Sequence, residues 1–215
     1  MERKTVIVTG ASRGIGAAIA AAAFELGAQV VLTARTGADL AVVAQKIEKQ
    51  GGTVLAMEGD ISQYEHCRNI VDRTIKTFGR IDALVNNAAV IGPLQRISEV
   101  PPDEWARTLS INFIGAALMC REAIPYLRQT KGRVLNVSST ASVEAVPGGS
   151  VYCSSKAALN HFTRVLANEE PLITAVAFNP GETDTQMQAE IREKTKDIPF
   201  EGLHNFLSAC TSKVS

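Results

Sequence analysis

A phenol holds its proton up to about pH 10, so a tyrosine works as an acid or base near neutrality only where its anion is stabilised. In this sequence Tyr152 is followed four residues on by Lys156 and preceded, thirteen residues upstream, by Ser139. Residues i and i+4 share one face of a helix, which sets the ammonium and the phenol over a common cleft. The Ser155 to Leu159 stretch (Ser-Lys-Ala-Ala-Leu) holds good helix formers and no proline, so a helix is expected there. The trio reads as a proton donor with its support.

A second group lies near the start, Thr9-Gly10-Ala11-Ser12-Arg13-Gly14-Ile15-Gly16, between a Val/Ile run and an alanine-rich segment. Gly10 permits a tight turn, Gly14 and Gly16 let backbone approach a pyrophosphate, and the following helix turns its N–H groups toward the negative charge. A glycine cluster can also be a plain βα turn; a buried strand before it and a helix after it favour the cradle. The next strand-like run closes with Thr33-Ala34-Arg35, where an NAD site would place an acid for the ribose 2′-hydroxyl. Arg35, aided by Arg13, suits a 2′-phosphate, so NADP(H) is expected over NAD(H). Asp39 stands near enough to compete as a ribose ligand.

Positioning these groups requires an alternating fold. Apolar runs at Thr5–Thr9, Gln29–Ala34, Thr53–Met57, Ala83–Val85, Arg133–Val137 and Ile173–Phe178 suit parallel strands buried on both faces. Helical patterns fill the gaps at Gly14–Leu26, Ala38–Gln50, Ser62–Phe78, Asp103–Arg128 and Val151–Asn168. Ser62 with Glu65 reads as a capping box, and Gly27, Gly51 and Gly79 sit where helices end. The alternation predicts a three-layer α/β fold, a Rossmann-type doubly wound parallel sheet. Trp105, Leu109 and Phe113 fall at helical spacing and are expected in the core.

Composition excludes other classes. The 22 basic and 22 acidic side chains cancel, so no bulk field recruits nucleic acid or an anionic membrane. The N-terminal residues pass directly into a strand, leaving no apolar signal segment, and no apolar run is long enough to span a bilayer. A cytoplasmic protein is expected. The four cysteines and three histidines (His66, His161, His204) have no metal-ligand spacing, so no metal and no histidine catalysis is expected.

These residues, in this order, resemble the short-chain dehydrogenase/reductase family from about Lys4 to Gln188. The glycine loop matches its Thr-Gly-x3-Gly-x-Gly, Asp60 its adenine-contacting acid with Ile61 beside it, and Asn86-Asn87-Ala88 its motif after the fourth strand. Asn112, Ser139, Tyr152 and Lys156 match the catalytic tetrad; Pro180, Gly181, Thr183 and Thr185 match the loop against the nicotinamide carboxamide. The resemblance implies that Tyr152 donates a proton to a carbonyl oxygen, that Ser139 hydrogen-bonds that oxygen, that Lys156 binds the nicotinamide ribose and depresses the tyrosine pKa, and that Asn112 holds a relay water. Plainer roles stay open: strand termination for Ser139, a helix kink for Asn112, a loop acid for Asp60 and a helix cap for Thr185.

Two departures stand out. Ala89 replaces the usual glycine after the Asn86 motif, and after Thr185 only Gln186 to Ser215 remain, with a weak helical pattern in Phe200, Leu203 and Phe206. One domain, 1–215, is therefore expected, with six strands in the order 3-2-1-4-5-6, the usual seventh missing, and 186–215 as a short lid or tail. The strand near Ile173–Phe178 is expected as an exposed edge unless the tail covers it. Helices carrying Asn112 and Tyr152 are apolar on more than one face, and in the family they pack against symmetry mates, so a homodimer is expected. The reading is an NADP(H)-dependent reductase of a ketone, aldehyde or dicarbonyl, or in reverse a dehydrogenase of a secondary alcohol. The phrasing from Thr183 to Gln188 is similar to the benzil and sepiapterin reductase branch. A non-catalytic dinucleotide-binding module and a nonproductive shortened isoform are the alternatives.

Overall fold

The computed structural model describes residues 3–181, 183 and 185–194. Six strands form one parallel sheet: β1 (Thr5–Thr9), β2 (Gln29–Ala34), β3 (Val54–Glu58), β4 (Ala83–Asn86), β5 (Arg133–Val137) and β6 (Thr174–Phe178), in the order β3-β2-β1-β4-β5-β6. Val8 lies opposite Leu32 on one side and Val85 on the other. The strand order reverses between β1 and β4, and loops leaving their carboxyl ends diverge there to open a crevice.

Helices α1 (Gly14–Glu25) and α2 (Gly37–Lys49) cover one face of the sheet, and α3 (Tyr64–Phe78), α5 (Gly115–Thr130) and α6 (Ser150–Glu169) cover the other. Strand alternation divides the core accordingly: Val6, Val8, Val30 and Leu32 face α1 and α2, whereas Ile7, Val31, Leu84 and Val134 face the opposite layer. The small residues Gly16, Ala20 and Ala23 are the buried stripe of α1, so its backbone sits close to the sheet and the loop ahead of it is held firmly. Asn86 Nδ2 donates to Asn136 Oδ1 at 2.9 Å, and Asn136 Nδ2 to Thr163 Oγ1 at 2.8 Å. This buried chain ties β4, β5 and α6 together beneath the crevice, where unpaired amides would be costly.

Several local expectations are corrected. The helix read over Asp103–Arg128 is three pieces: α4 (Pro102–Leu109), a π-helical turn at Ser110–Ile114, and α5. The capping box at Ser62 and Glu65 does not form; α3 starts at Tyr64, and Asp60 Oδ1 accepts the Ser62 N–H at 2.9 Å instead. Trp105, Leu109 and Phe113 are half-buried rather than core residues, with Phe113 edge-on to Phe162. Among the described residues β6 is the sheet's edge, and Val176 and Phe178 expose 48% and 45% of their surface because α6 covers only the other face. Phe200, Leu203 and Phe206 lie outside the described residues. A further helix, α7 (Gln186–Lys194), follows the loop after β6.

Candidate active site

The crevice at the carboxyl ends of the strands is a cavity of about 720 Å³. At one end stands the glycine loop. Gly10 (φ 63°) and Gly14 (φ 54°) have left-handed backbones that favour glycine, and a Cβ on Gly10 would come within 2.7 Å of Ala88 Cα. The loop is stitched to the loop after β4. Asn87 Nδ2 donates to the carbonyls of Thr9 (3.0 Å) and Gly10 (3.1 Å), while Thr9 Oγ1 accepts the N–H groups of Asn87 and Ala88, each at 3.0 Å. Gly16 does not line the cavity. It is buried where a Cβ would overlap the Gly10 carbonyl and the Asn87 amide, so it closes α1 onto the loop and its expected approach to a pyrophosphate is corrected.

Ser12, Arg13, Gly14, Ile15, Arg35, Asp60, Ile61, Asn87, Ala88, Pro180, Gly181, Thr183 and Thr185 all line the cavity, as do Ser139, Tyr152 and Lys156. Arg35 is exposed at the end of β2 and has no hydrogen bond or ion pair among the described residues. Asp39, on the first turn of α2, is not part of the wall. His66, read from sequence only as non-catalytic, sits beneath this end with Nε2 3.0 Å from Thr33 Oγ1, its ring filling the space a side chain on Gly59 would need. Burial lowers its pKa against the pull of Asp60.

At the other end, α6 carries Tyr152 and Lys156 one turn apart and the loop after β5 carries Ser139. Burial pushes the Tyr152 phenol above its ordinary pKa, and a hydrogen bond from Ser139 pulls against it. The Lys156 ammonium, 2% exposed, lies 5.7 Å from the tyrosine ring centroid and donates to the Val137 carbonyl at 2.7 Å. Burial drops its pKa to about 8. The ammonium is thus held on a backbone carbonyl, and burial sets the phenol above its ordinary pKa.

Asn112 also departs from expectation, for it is fully buried and does not line the cavity. Its Oδ1 accepts the Val90 N–H and its Nδ2 donates to the Val90 carbonyl, both at 2.8 Å, and to Ser155 Oγ at 3.0 Å. Ser155 in turn donates to the Tyr152 carbonyl at 2.7 Å. The Asn112 side chain thus braces the start of the Val90 loop against α6, and the π-turn marks where the helical ladder yields to it.

Sequence reading singled out neither Ile91 nor Leu94; of the apolar cluster they belong to, Ile91, Met187 and Tyr152 reach the cavity. Ile91, Leu94 and Ile191 form a small buried apolar cluster with Val146, Met187 and Tyr152, lending the phenol end a non-polar side. Thr185 caps α7, its hydroxyl accepting the Gln188 N–H at 3.3 Å, and still faces the cavity. Hydrophobic periodicity over Met187 and Ile191 was the available signal, but the partner Ile91 is about a hundred positions away in the chain.

The residues fit a dinucleotide: two left-handed glycines, Gly10 with no room for a side chain, a helix N-terminus, and a cavity running from Arg35 to Tyr152. Such a cofactor would supply the hydride, and the residues of this cavity would bind it and hold the proton. Among the described residues no helix is long and apolar enough to cross a membrane.

Comparison with known proteins agrees. The short chain dehydrogenase family model matches residues 4–196. An oxidoreductase of Saccharomyces cerevisiae is 40% identical over 192 residues, covering 88% of this chain and 74% of that one. The crystal structure of the KRED1-Pglu enzyme superposes with a TM-score of 0.89 at 39% identity, covering 98% of this chain and 88% of the other. An alcohol dehydrogenase from Thermococcus sibiricus, complexed with 5-hydroxy-NADP, superposes at 0.81 with 31% identity, covering 85% and 77%. A match that spans the sheet, the glycine loop and the tyrosine helix together leaves one assignment, and this chain belongs to the short-chain dehydrogenase/reductase family of oxidoreductases.

Proposed function

We propose that the protein reduces the carbonyl of a ketone, aldehyde or dicarbonyl with NADPH, or oxidises the corresponding secondary alcohol with NADP. The observation that carries this reading is the placement of Tyr152, Ser139 and Lys156 together at the far end of a cavity whose opposite wall is the glycine loop. Hydride arriving at a carbonyl carbon leaves alkoxide character on its oxygen. Two hydroxyls aimed at that oxygen stabilise it, Tyr152 giving up its proton and Ser139 keeping its own. Lys156 steadies the tyrosinate that results and holds ribose hydroxyls, while Asn112 keeps the Val90 wall and α6 in register.

The preference for the phosphorylated cofactor rests on Arg35, which stands unpaired among the described residues, and on the absence of a carboxylate at the end of β2. Arg13 adds positive charge from the glycine loop. The alcohol dehydrogenase from Thermococcus sibiricus is a relative crystallised with such a cofactor. The apolar side chains of Ile91 and Met187 in the cavity wall favour substrates with a hydrocarbon or aryl substituent beside the carbonyl. The single domain works in the cytoplasm, where free thiols such as Cys67, Cys120 and Cys153 persist, with residues 186–215 as lid and tail. It pairs as a homodimer through the outer faces of α6 and of the π-turn and α5, where Val165 and Ile114 are exposed.

The test is NADPH oxidation with a panel of α-dicarbonyls and aryl ketones, beside Tyr152→Phe. Turnover lost by ~10³-fold or more with cofactor affinity retained is the expected result. Equal turnover in the variant would refute the assignment.

A further inference from the structure

Arg13, exposed at the tip of the glycine loop, is joined to the far end of the chain. One terminal nitrogen donates to Gln186 Oε1 at 2.7 Å, and the other lies 3.7 Å from Glu190 Oε1. Gln186 and Glu190 are four apart on α7 and so present one face. Thr185, just ahead of α7, lines the cavity near Gly14, where an added Cβ would come 3.6 Å from its side chain. From the same helix Met187 and Ile191 pack into the apolar cluster beside Tyr152. Helix α7 is thus anchored at both ends of the cavity, by polar groups over the glycine loop and by apolar ones beside the phenol.

Resting on the reading that a nicotinamide dinucleotide fills this cavity, we propose that Arg13, Gln186 and Glu190 form a clasp that fastens α7 over the dinucleotide and sets its rate of release. Gln186 and Glu190 are positioning residues; they act through α7. The guanidinium fork has five N–H donors, so one hydrogen bond and one ion pair to α7 leave others for phosphate oxygens. Beyond any charge that Arg13 lends a 2′-phosphate, its hold on Gln186 and Glu190 fastens the lid and so retains NADPH and NADH alike.

That equality separates the clasp from a simple phosphate contact. Dissociation of NADPH and of NADH is followed by stopped-flow fluorescence in the wild type, Gln186→Ala/Glu190→Gln, Arg13→Ala and the triple variant. A charge-assisted hydrogen bond and an exposed ion pair predict a release rate about 5- to 10-fold faster in the double variant for both cofactors. The triple variant is expected to release no faster than Arg13→Ala, since the groups act as one unit. Unchanged release in the double variant, or a loss in Arg13→Ala confined to NADPH, would overturn the clasp while leaving the cofactor reading intact. A wild type that binds neither cofactor would overturn both.

Discussion

The Lys156 ammonium donates a 2.7 Å hydrogen bond to the Val137 carbonyl while buried to 2% exposure, and this contact stores a cost the fold bears for its chemistry. A folded chain that releases this proton near pH 8, while the unfolded chain holds it to about pH 10.4, binds fewer protons than the unfolded chain in between. Stability from this group therefore rises with pH across that window, and at pH 7 the full cost of the buried charge is present. Lys156→Met is expected to be more stable than wild type at pH 7 by about 1–3 kcal/mol, to lose activity, and to lose its stability advantage by about pH 10. Urea unfolding of the two proteins at pH 7, 8.5 and 10 checks this; a pH-independent difference would sink it.

Gly16 is a packing residue rather than a ligand, because its missing Cβ leaves the space taken by the Gly10 carbonyl and the Asn87 amide. Gly16→Ala is expected to push the loop apart, costing about 1–3 kcal/mol and weakening cofactor binding in step. Thermal melts with titrations of NADPH report both; intact binding with lost stability would show that the stitch does not shape the cradle.

Arg35 stands at the end of β2 with its guanidinium free among the described residues. Arg35→Ala is expected to weaken NADPH about 10- to 100-fold, the value of a charge-assisted contact, and to leave NADH within about twofold. Equal losses for both cofactors would remove Arg35 from the 2′-phosphate site.

Val165 is 40% exposed on α6 and Ile114 43% exposed beside α5. A glutamate at Val165 would place charge within the proposed apolar dimer seam and is expected to yield monomers in sedimentation velocity. A dimer that persists in Val165→Glu would move the interface elsewhere.

Much of the site was legible because its geometry is local. Tyr152 and Lys156 are one helical turn apart, and Gly10 and Gly14 lie in one βα turn, so 3.6-residue periodicity and the demand for left-handed backbone were enough to read them. The sheet order was legible only through the family resemblance. What failed did so over long separations or at competing local bonds. Ser62 and Glu65 have the spacing of a capping box, yet Asp60 reaches the Ser62 N–H first. Trp105 and Phe113 have core spacing, yet no described element covers their outer sides.

By itself, then, the chain's order of residues determined an alternating α/β domain, a phosphate-ready glycine turn and a tyrosine with a lysine one turn away, since each depends on neighbours within a few positions. Only the tertiary structure decided the states of those groups. It turned Lys156 to Val137, spent the Asn112 amide on Val90, buried Gly16 against Asn87, and joined Arg13 to Gln186 and Glu190. The physical reason is common to all four: a hydrogen-bonding or steric partner is chosen by what the fold brings within 3 to 4 Å, and these partners arrive from distant segments of the chain.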